Sequence, residues 1–342
     1  MGFFKKLFGQ PAADAPAADA PAADASVADA SVADVEVRRD DRRFDMLIDN
    51  GVRALQMNEV CMATPYLEQA HALRPDDRRA TSLLAEVYLR RQDHAAALPL
   101  LKMLARADGD DMQVLMLLAD TEGKVGQYDA MQATAATLLE RCADDPRSHY
   151  LAAVAAHGLR NDFEAIAQLC VALNAEEGYR QARQLRAEVL GSMGQWQEAL
   201  TDTTLLADDA EATEEECLLH ARALAATGQA DDALQVIAGV LEANPFCREA
   251  FLLRGAIYEQ QSQWEKALET YDEACREVEG FGEAYLHRGA VKRHLHDDAG
   301  AADDMKAYLR LCPQAAKALE GDFTNIENLM NDRYRRLNPY QF

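Results

Sequence analysis

The sequence predicts an all-α protein built from a repeated pair of helices, and three observations support this fold class. Glycine and proline are sparse, with 18 Gly and 10 Pro in 342 residues, as a helical chain requires. Between Pro245 and Glu279, apolar residues recur at helical spacing in two runs that are separated by a turn near Gln261. The same pattern returns every 34 residues, so we expect an array in which each helix pair packs against the next.

Small residues set the register of this pattern. The first helix of each unit carries Gly or Ala at Gly51, Ala85, Ala119, Ala153, Ala187, Ala221, Gly255 and Gly289. The second helix carries Ala63, Ala97, Met131, Ala165, Ala199, Ala233, Ala267 and Ala301. Helices that cross closely need small side chains at the crossing, so we expect these residues, Ala97 and Ala267 among them, to be buried. Met131, His149 and Arg183 depart from the pattern, which predicts looser packing in the middle of the array.

The composition limits the classes of partner. With 35 Lys and Arg against 58 Asp and Glu, the formal net charge is −23, which repels phosphate backbones and argues against nucleic acid. The seven cysteines are an odd number without a C-x-x-C pair, and most lie in helical runs. They are typical of buried thiols in a reducing compartment, so we expect a cytoplasmic protein without a disulfide framework.

The first ten residues form a short amphipathic segment. Its apolar side chains and two lysines predict contact with an anionic membrane surface through Phe3, Phe4, Lys5, Lys6, Leu7 and Phe8. The segment is too short to be a signal peptide, and Pro11 ends it. A frayed terminus without a function is the alternative. The membrane interpretation would place the protein at the inner face of a membrane as a peripheral protein.

Residues 11–43 are predicted to be a disordered linker that is rich in Ala, Pro and Asp. Residues 11–35 repeat a five-residue unit that lacks a bulky apolar face, so they cannot bury enough surface to offset the entropy of ordering. Residues 36–43 have mixed charge and lead into the first helix, and the repeats begin at Phe44.

Residues 316–342 are predicted to form a capping helix followed by a basic, aromatic tail. Terminal repeats need such a polar-faced cap. The tail reads R-Y-R-R-L-N-P-Y-Q-F from Arg333, which is unusual in an acidic chain. It is interpreted either as a simple terminus or as a peptide that inserts into a groove of this chain or of a neighbouring copy, and the second case would make the protein a homo-oligomer.

No sequence motif indicates catalysis. The chain lacks a phosphate-binding Gly-rich loop, a G-x-S-x-G elbow and an H-E-x-x-H pair. His287 and His294 share a helix face, but the nearest carboxylates lie in a turn, so surface histidines are favoured over a metal site. We therefore expect no enzyme activity, no cofactor and no metal.

The period and the two small-residue series resemble those of the tetratricopeptide repeat family over residues 44–315, as about eight tandem repeats. The local strings G-Q-W-Q-E-A-L at 194–200 and S-Q-W-E-K-A-L at 262–268 are also similar to the family pattern. The resemblance implies a right-handed α-solenoid of helix-turn-helix repeats. It also implies that the first helices line a concave groove that binds a segment of another protein.

The resemblance assigns groove positions residue by residue. In the first four repeats they include Arg79, Glu86, Arg90, Met116, Asp120, Lys124, Arg147, Tyr150 and His157. In the last four they include Glu188, Glu215, Arg222, Glu249, Glu259 and Arg293. Four of these, Arg79, Arg90, Lys124 and Arg147, form a candidate basic stripe, whereas the glutamates make the other end acidic.

These observations predict a non-enzymatic scaffold or adaptor that binds a protein or peptide in its groove, with the N-terminal segment near a membrane surface. Two alternatives stay open, a self-assembling structural protein and a regulatory subunit of an enzyme complex. The sequence does not identify the partner.

Overall fold

The computed structural model describes residues 32–314, with side chains from Arg39 onward. This part of the chain contains sixteen α-helices and no β-strand, as the predicted fold class requires. It divides into two compact units, one ending at Glu177 and one beginning at Gly178.

Within residues 32–314, each unit contains four helix pairs. The helices of unit 1 are α1 (Val32–Gln56), α2 (Val60–Leu73), α3 (Arg78–Arg90), α4 (His94–Ala107), α5 (Met112–Lys124), α6 (Tyr128–Arg141), α7 (Pro146–Gly158) and α8 (Asp162–Ala175). The helices of unit 2 are α9 (Arg180–Ser192), α10 (Trp196–Ala207), α11 (Glu214–Ala226), α12 (Ala230–Ala243), α13 (Arg248–Gln260), α14 (Trp264–Glu277), α15 (Gly282–His294) and α16 (Asp298–Leu311). Odd-numbered helices are the first helices of their pairs, and even-numbered helices are the second.

The predicted 34-residue stride is confirmed without an insertion or a deletion. From α3 to α15, every first helix spans 13 residues and begins 34 residues after the one before it. We number the repeats 1 to 8 and count positions 1 to 34 from residues 44, 78, 112, 146, 180, 214, 248 and 282. Residues at one position of different repeats therefore occupy equivalent places in their helix pairs.

Helix α1 is longer than the other first helices. It begins at Val32, so its first twelve residues fall within the segment 11–43 that is predicted to be a disordered linker. Contacts with Arg74, the residue that follows α2, hold α1 at Asp41 and Phe44. The carboxylate of Asp41 accepts a hydrogen bond from Arg74, and the guanidinium of Arg74 lies 4.5 Å from the centre of the Phe44 ring.

The small residues lie where the paired helices cross. Ala97 and Ala267 have no exposed surface, which confirms that the backbones approach closely there. Met131 is also buried, at 1% exposure, and a Cβ on Gly123 would lie 2.8 Å from its sulfur atom. The absence of a side chain at Gly123 thus makes room for the larger residue. The looser packing expected at Met131 is therefore not observed.

Each pair turns at position 15, where the backbone is left-handed in every repeat. Three repeats have glycine there, and the other five have a residue with a Cβ. The eight residues are Asn58, Gln92, Gly126, Arg160, Gly194, Gly228, Ser262 and His296, with φ between 58° and 86°. The left-handed residue ends the first helix and lets the chain reverse into the second.

Aspartate side chains begin three first helices of unit 1. Asp77, Asp111 and Asp145 are the N-cap residues of α3, α5 and α7, and each accepts a hydrogen bond from a backbone N–H of the first turn. These bonds satisfy donors that have no partner within the helix. In unit 2, α11 begins instead with a reciprocal capping box between Thr213 and Glu216.

Several predictions concern residues outside the described part of the chain. These are the membrane contact at residues 1–10, the linker up to residue 31, and the capping helix and tail at 316–342. Among the helices that the structure describes, none is long and apolar enough to cross a membrane.

Candidate functional site

The first helices carry the predicted binding residues, and their burial differs widely in unit 1. Arg79, Asp120 and Lys124 are exposed. By contrast, Glu86 is 5% exposed and Met116 is 8% exposed. The carboxylate of Glu86 accepts a hydrogen bond from Arg90, and burial raises the pKa of Glu86 although Arg90 opposes the shift. Glu86 and Met116 therefore offer little surface to a partner.

Three of the four residues of the basic stripe are close to carboxylates of the same unit. Arg90 pairs with Glu86, and a guanidinium nitrogen of Arg79 lies 4.0 Å from a carboxylate oxygen of Asp49. Arg147 donates to Asp145 at 2.7 Å and 3.1 Å, and these bonds hold the pKa of Asp145 below its usual value. Lys124 has no ion pair with any residue in the described part of the chain. It is thus the stripe residue whose charge is least compensated.

The other predicted residues of unit 1 lie on α7. Tyr150 is half-buried against the apolar cluster that includes Leu115 and Leu151. The Nδ1 atom of His157 lies 2.7 Å from a carboxylate oxygen of Asp162, at the start of the second helix. This contact connects the two ends of the turn between α7 and α8.

In unit 2, glutamate occupies position 2 in three successive repeats, and we call Glu215, Glu249 and Glu283 the glutamate ladder. Glu215 and Glu283 are exposed, and neither forms an ion pair with a residue that the structure describes. Glu249 is half-buried and accepts a hydrogen bond from Arg222 of the preceding repeat. Because α11 contacts α13 and α13 contacts α15, the three carboxylates lie on neighbouring helices.

Among the remaining predicted residues of unit 2, Glu188 and Glu259 are held by neighbouring side chains. Glu188 accepts a hydrogen bond from Gln184 at 2.9 Å. Glu259 accepts one from the hydroxyl of Tyr271 at 2.6 Å. Arg293 is half-buried on α15. The face of these first helices therefore combines two exposed carboxylates with others whose orientation is fixed.

The two histidines that were considered as metal ligands pack against aromatic rings. His287 is 6% exposed and stacks on Tyr271 with ring centres 5.4 Å apart, while His294 stacks on Trp264 at 4.1 Å. His287 is therefore buried, contrary to the surface position that was expected. In residues 32–314, no group of three or more His, Cys, Asp or Glu side chains could hold a metal ion.

Sequence reasoning missed an ion pair between an arginine and a buried aspartate that occurs in repeats 5 and 8. Arg186 donates two hydrogen bonds to Asp202 at 2.7 Å, and Asp202 is 1% exposed. Arg288 and Asp304 form the same pair at the same positions, 7 and 23, of repeat 8. The signal in the sequence was an Arg that is followed sixteen residues later by an Asp, at the same two positions in repeats 5 and 8. These pairs connect first and second helices and do not belong to the candidate binding surface.

Comparison with family models decides the class of protein. The tetratricopeptide repeat model matches residues 62–121 and 218–280, one region in each unit. Together with the unbroken stride, these matches settle the family. The chain is a tetratricopeptide repeat protein. Its eight helix pairs are tetratricopeptide repeats, and they form a helical-repeat solenoid fold.

Comparison with solved structures finds a similar fold at low sequence identity. PilF from Pseudomonas aeruginosa superposes with a TM-score of 0.50 at 16% identity, over 66% of this chain and 99% of that chain. A tetratricopeptide repeat protein from Parabacteroides merdae gives a TM-score of 0.46 at 14% identity, over 86% and 98% of the two chains. A comparison with curated proteins finds no match. The tetratricopeptide repeat fold supports a general role in protein interaction.

Proposed function

We propose that this protein is a non-enzymatic scaffold whose first helices bind an extended segment of another protein. The observation that carries the proposal is the glutamate ladder of unit 2. Glu215 and Glu283 are exposed and lack an ion pair among the described residues, and Glu249 lies between them at the same position. A row of carboxylates on neighbouring helices favours a segment with several Lys or Arg side chains.

The charge of unit 2 supports a basic partner. Residues 178–314 contain 25 acidic and 13 basic residues, which gives a net charge of −12. Such a field attracts basic segments and repels acidic ones before contact is made. In unit 1, Lys124 is an exposed cation without an ion pair among the described residues, whereas Arg79 already lies near Asp49. We therefore assign the main contribution to partner binding to unit 2.

Affinity purification from the source cells tests the proposal. The bait is the full-length chain, compared with a ladder variant that carries Glu215→Gln, Glu249→Gln and Glu283→Gln. The matched control carries Glu198→Gln, Glu265→Gln and Glu269→Gln, which are exposed glutamates on second helices of the same unit. We expect mass spectrometry to find a partner that the wild type and the control retain and that the ladder variant loses.

The proposal is wrong if the ladder variant and the control retain the same proteins. Circular dichroism of each variant shows whether helix content is preserved, so that misfolding is not mistaken for lost binding. Variants of Arg79, Lys124 and Arg147 test the contribution of unit 1 in the same assay.

The second part of the proposal places the scaffold near a membrane surface. Its support is the sequence of residues 1–10, where four apolar side chains lie beside Lys5 and Lys6. Flotation of the full-length protein with vesicles that contain anionic lipid measures this contact. We expect binding that is lost when Phe3, Phe4 and Phe8 are replaced by serine. If the wild type does not float with the vesicles, the membrane part of the proposal is wrong.

A further inference from the structure

The ion pair between Arg222 and Glu249 shows how a guanidinium docks on the glutamate ladder. Arg222 is at position 9 of repeat 6, and Glu249 is at position 2 of repeat 7. The donor and the acceptor are thus on neighbouring first helices, and the guanidinium comes from the repeat that precedes the carboxylate. Arg222 is half-buried, so the pair is part of the surface of unit 2.

The repeats on either side lack this arginine. For Glu283, the equivalent of Arg222 is Ala256, which is half-exposed. For Glu215, the equivalent is Glu188, which accepts its hydrogen bond from Gln184 of the same helix. Ala256 has no group that could pair with the exposed carboxylate of Glu283 as Arg222 pairs with Glu249. The carboxylate of Glu249 therefore has a guanidinium partner within the repeats. The carboxylates of Glu215 and Glu283 can each accept a hydrogen bond from a guanidinium of another segment.

The C-terminal sequence of this chain is rich in the complementary group. Residues 333–342 contain Arg333, Arg335 and Arg336 and no acidic residue, in a protein with a net charge of −23. Unit 2 has a net charge of −12 over residues 178–314. The charges of the tail and of the ladder are therefore opposite, and bidentate contact with carboxylates is a favoured interaction of arginine.

The chain between the two features is long enough to bring them together. The described residues end at Gln314, just after α16, which packs on α15, the helix that carries Glu283. Eighteen residues separate Gln314 from Arg333. They would span about 27 Å as a helix and up to roughly 60 Å when extended. Neighbouring helix axes are about 10 Å apart, so a connection of this length is long enough to reach the ladder of the same chain.

We propose that residues Arg333–Arg336 dock on the glutamate ladder of their own chain, with one guanidinium on Glu283 in the arrangement that Arg222 has on Glu249. The inference rests on the proposed function, because it assigns an internal competitor to the same binding surface. A basic partner must then displace the tail, so the affinity for that partner depends on the tail as well as on the ladder.

A labelled peptide of residues 331–342 serves as the probe in a fluorescence anisotropy titration. The first protein is full-length wild type, and the second is a full-length tail variant with Arg333→Ser, Arg335→Ser and Arg336→Ser. We expect the tail variant to bind the peptide at least five-fold more tightly than wild type, because its own tail no longer competes. Adding the three Glu→Gln changes of the ladder to the tail variant should weaken binding at least ten-fold.

The matched control adds Glu198→Gln, Glu265→Gln and Glu269→Gln to the tail variant and should bind as the tail variant does. This control removes the same number of charges from unit 2 without changing the ladder. Equal binding by the ladder variant and this control would overturn the docking site. Equal binding by wild type and the tail variant would overturn occupation by the chain's own tail.

Light scattering distinguishes a tail that docks within one chain from a tail that docks on a second copy. We expect monomers for wild type and for the tail variant. A wild-type dimer that dissociates in the tail variant would overturn docking within one chain. If the peptide does not bind while partner capture still depends on the ladder, the inference fails and the proposed function stands.

Discussion

The ring of Tyr271 packs directly against the backbone of Gly255, where the two helices of repeat 7 cross. A Cβ on Gly255 would lie 2.2 Å from the Cζ atom of Tyr271, far inside van der Waals contact. In repeat 1, Gly51 faces Leu67 in the same way, at 2.6 Å. The residue at position 8 thus limits the size of the residue at position 24, because the two share one space.

Replacement of Gly255 by alanine is expected to destabilise the protein by about 1–3 kcal/mol, since Tyr271 has no exposed surface and must shift to make room. Urea denaturation measures the change. The control is Gly239→Ala in α12, because nothing lies within 4 Å of a Cβ at that position. Alanine favours the helix there and should stabilise the protein by about 0.5–1 kcal/mol. An unchanged or raised urea midpoint for Gly255→Ala would contradict the prediction.

Glycine at position 15 is expected to stabilise those repeats that have another residue there. Arg160 and Ser262 adopt φ values of 63° and 58°, which cost a residue with a Cβ about 1 kcal/mol or more. We predict that Arg160→Gly and Ser262→Gly each raise the free energy of unfolding by up to about 1 kcal/mol, which is measured as a higher urea midpoint. The reverse change, Gly228→Ala at φ 86°, should lower it. A lower midpoint for both glycine variants would show that the turn is not strained.

Loss of the buried carboxylate of Asp202 is expected to destabilise unit 2 by roughly 1–3 kcal/mol. Asp202→Leu removes the two hydrogen bonds that half-buried Arg186 makes to Asp202, and it also removes the carboxylate that lies 3.6 Å from the guanidinium of Arg183. The double variant Arg186→Leu with Asp202→Leu should be less destabilised than Asp202→Leu alone. The double variant then has leucine at both positions, as repeat 2 has with the buried Leu84 and Leu100.

Denaturant titrations of the two variants and of Arg186→Leu give the coupling between the residues. The exposed Asp231→Asn in α12 is the control and should change the stability by less than about 0.5 kcal/mol. A double variant that is less stable than Asp202→Leu would contradict the view that the unpaired guanidinium of Arg186 is the main cause of the destabilisation.

Glu216 is expected to make stability depend on pH in the acid range. A hydrogen bond from the guanidinium of Arg180 at 2.6 Å is the largest cause that lowers the pKa of Glu216 to about 2, and Thr213 contributes its backbone N–H. The pKa is near 4.5 in the unfolded chain, so this contribution is fully present above pH 4.5. It is lost as the pH falls towards 2, because the proton then binds and weakens the pair.

Urea midpoints measured between pH 2 and pH 6 check this expectation. Glu216→Gln should be less stable than wild type by roughly 1–3 kcal/mol at pH 6, and the difference should shrink as the pH falls. Glu215→Gln, at the exposed neighbouring residue, should follow the wild-type curve. A constant difference between wild type and Glu216→Gln across this range would contradict the assignment.

The sequence was sufficient to predict the helix pairs and their stride, because small residues at helix crossings recur at fixed spacing along the chain. It was not sufficient at Met131, since the residue that accommodates it, Gly123, lies on another helix. The start of α1 at Val32 was also missed, because the pairing of Asp41 with Arg74 depends on contacts between residues far apart in sequence.

The candidate surface was predictable by position but not by exposure. Position 9 of repeat 2 was assigned to the groove, and the residue there, Glu86, is buried beside Arg90. Position 2 holds the exposed Glu215 and Glu283, yet its third member, Glu249, is paired with Arg222. Exposure at these positions depends on which side chains the neighbouring repeats contribute, and a family pattern does not specify those side chains.

Two ion pairs differ in what they imply for the evolution of the repeats, namely Arg186 with Asp202 and Arg222 with Glu249. Both members of the first pair lie within one repeat, so a duplication that copies the repeat also copies its counter-ion. The second pair joins two repeats, so exchanging either for another would separate a charge from its partner. Ion pairs of the first kind permit repeats to be shuffled during evolution, and those of the second kind preserve their order.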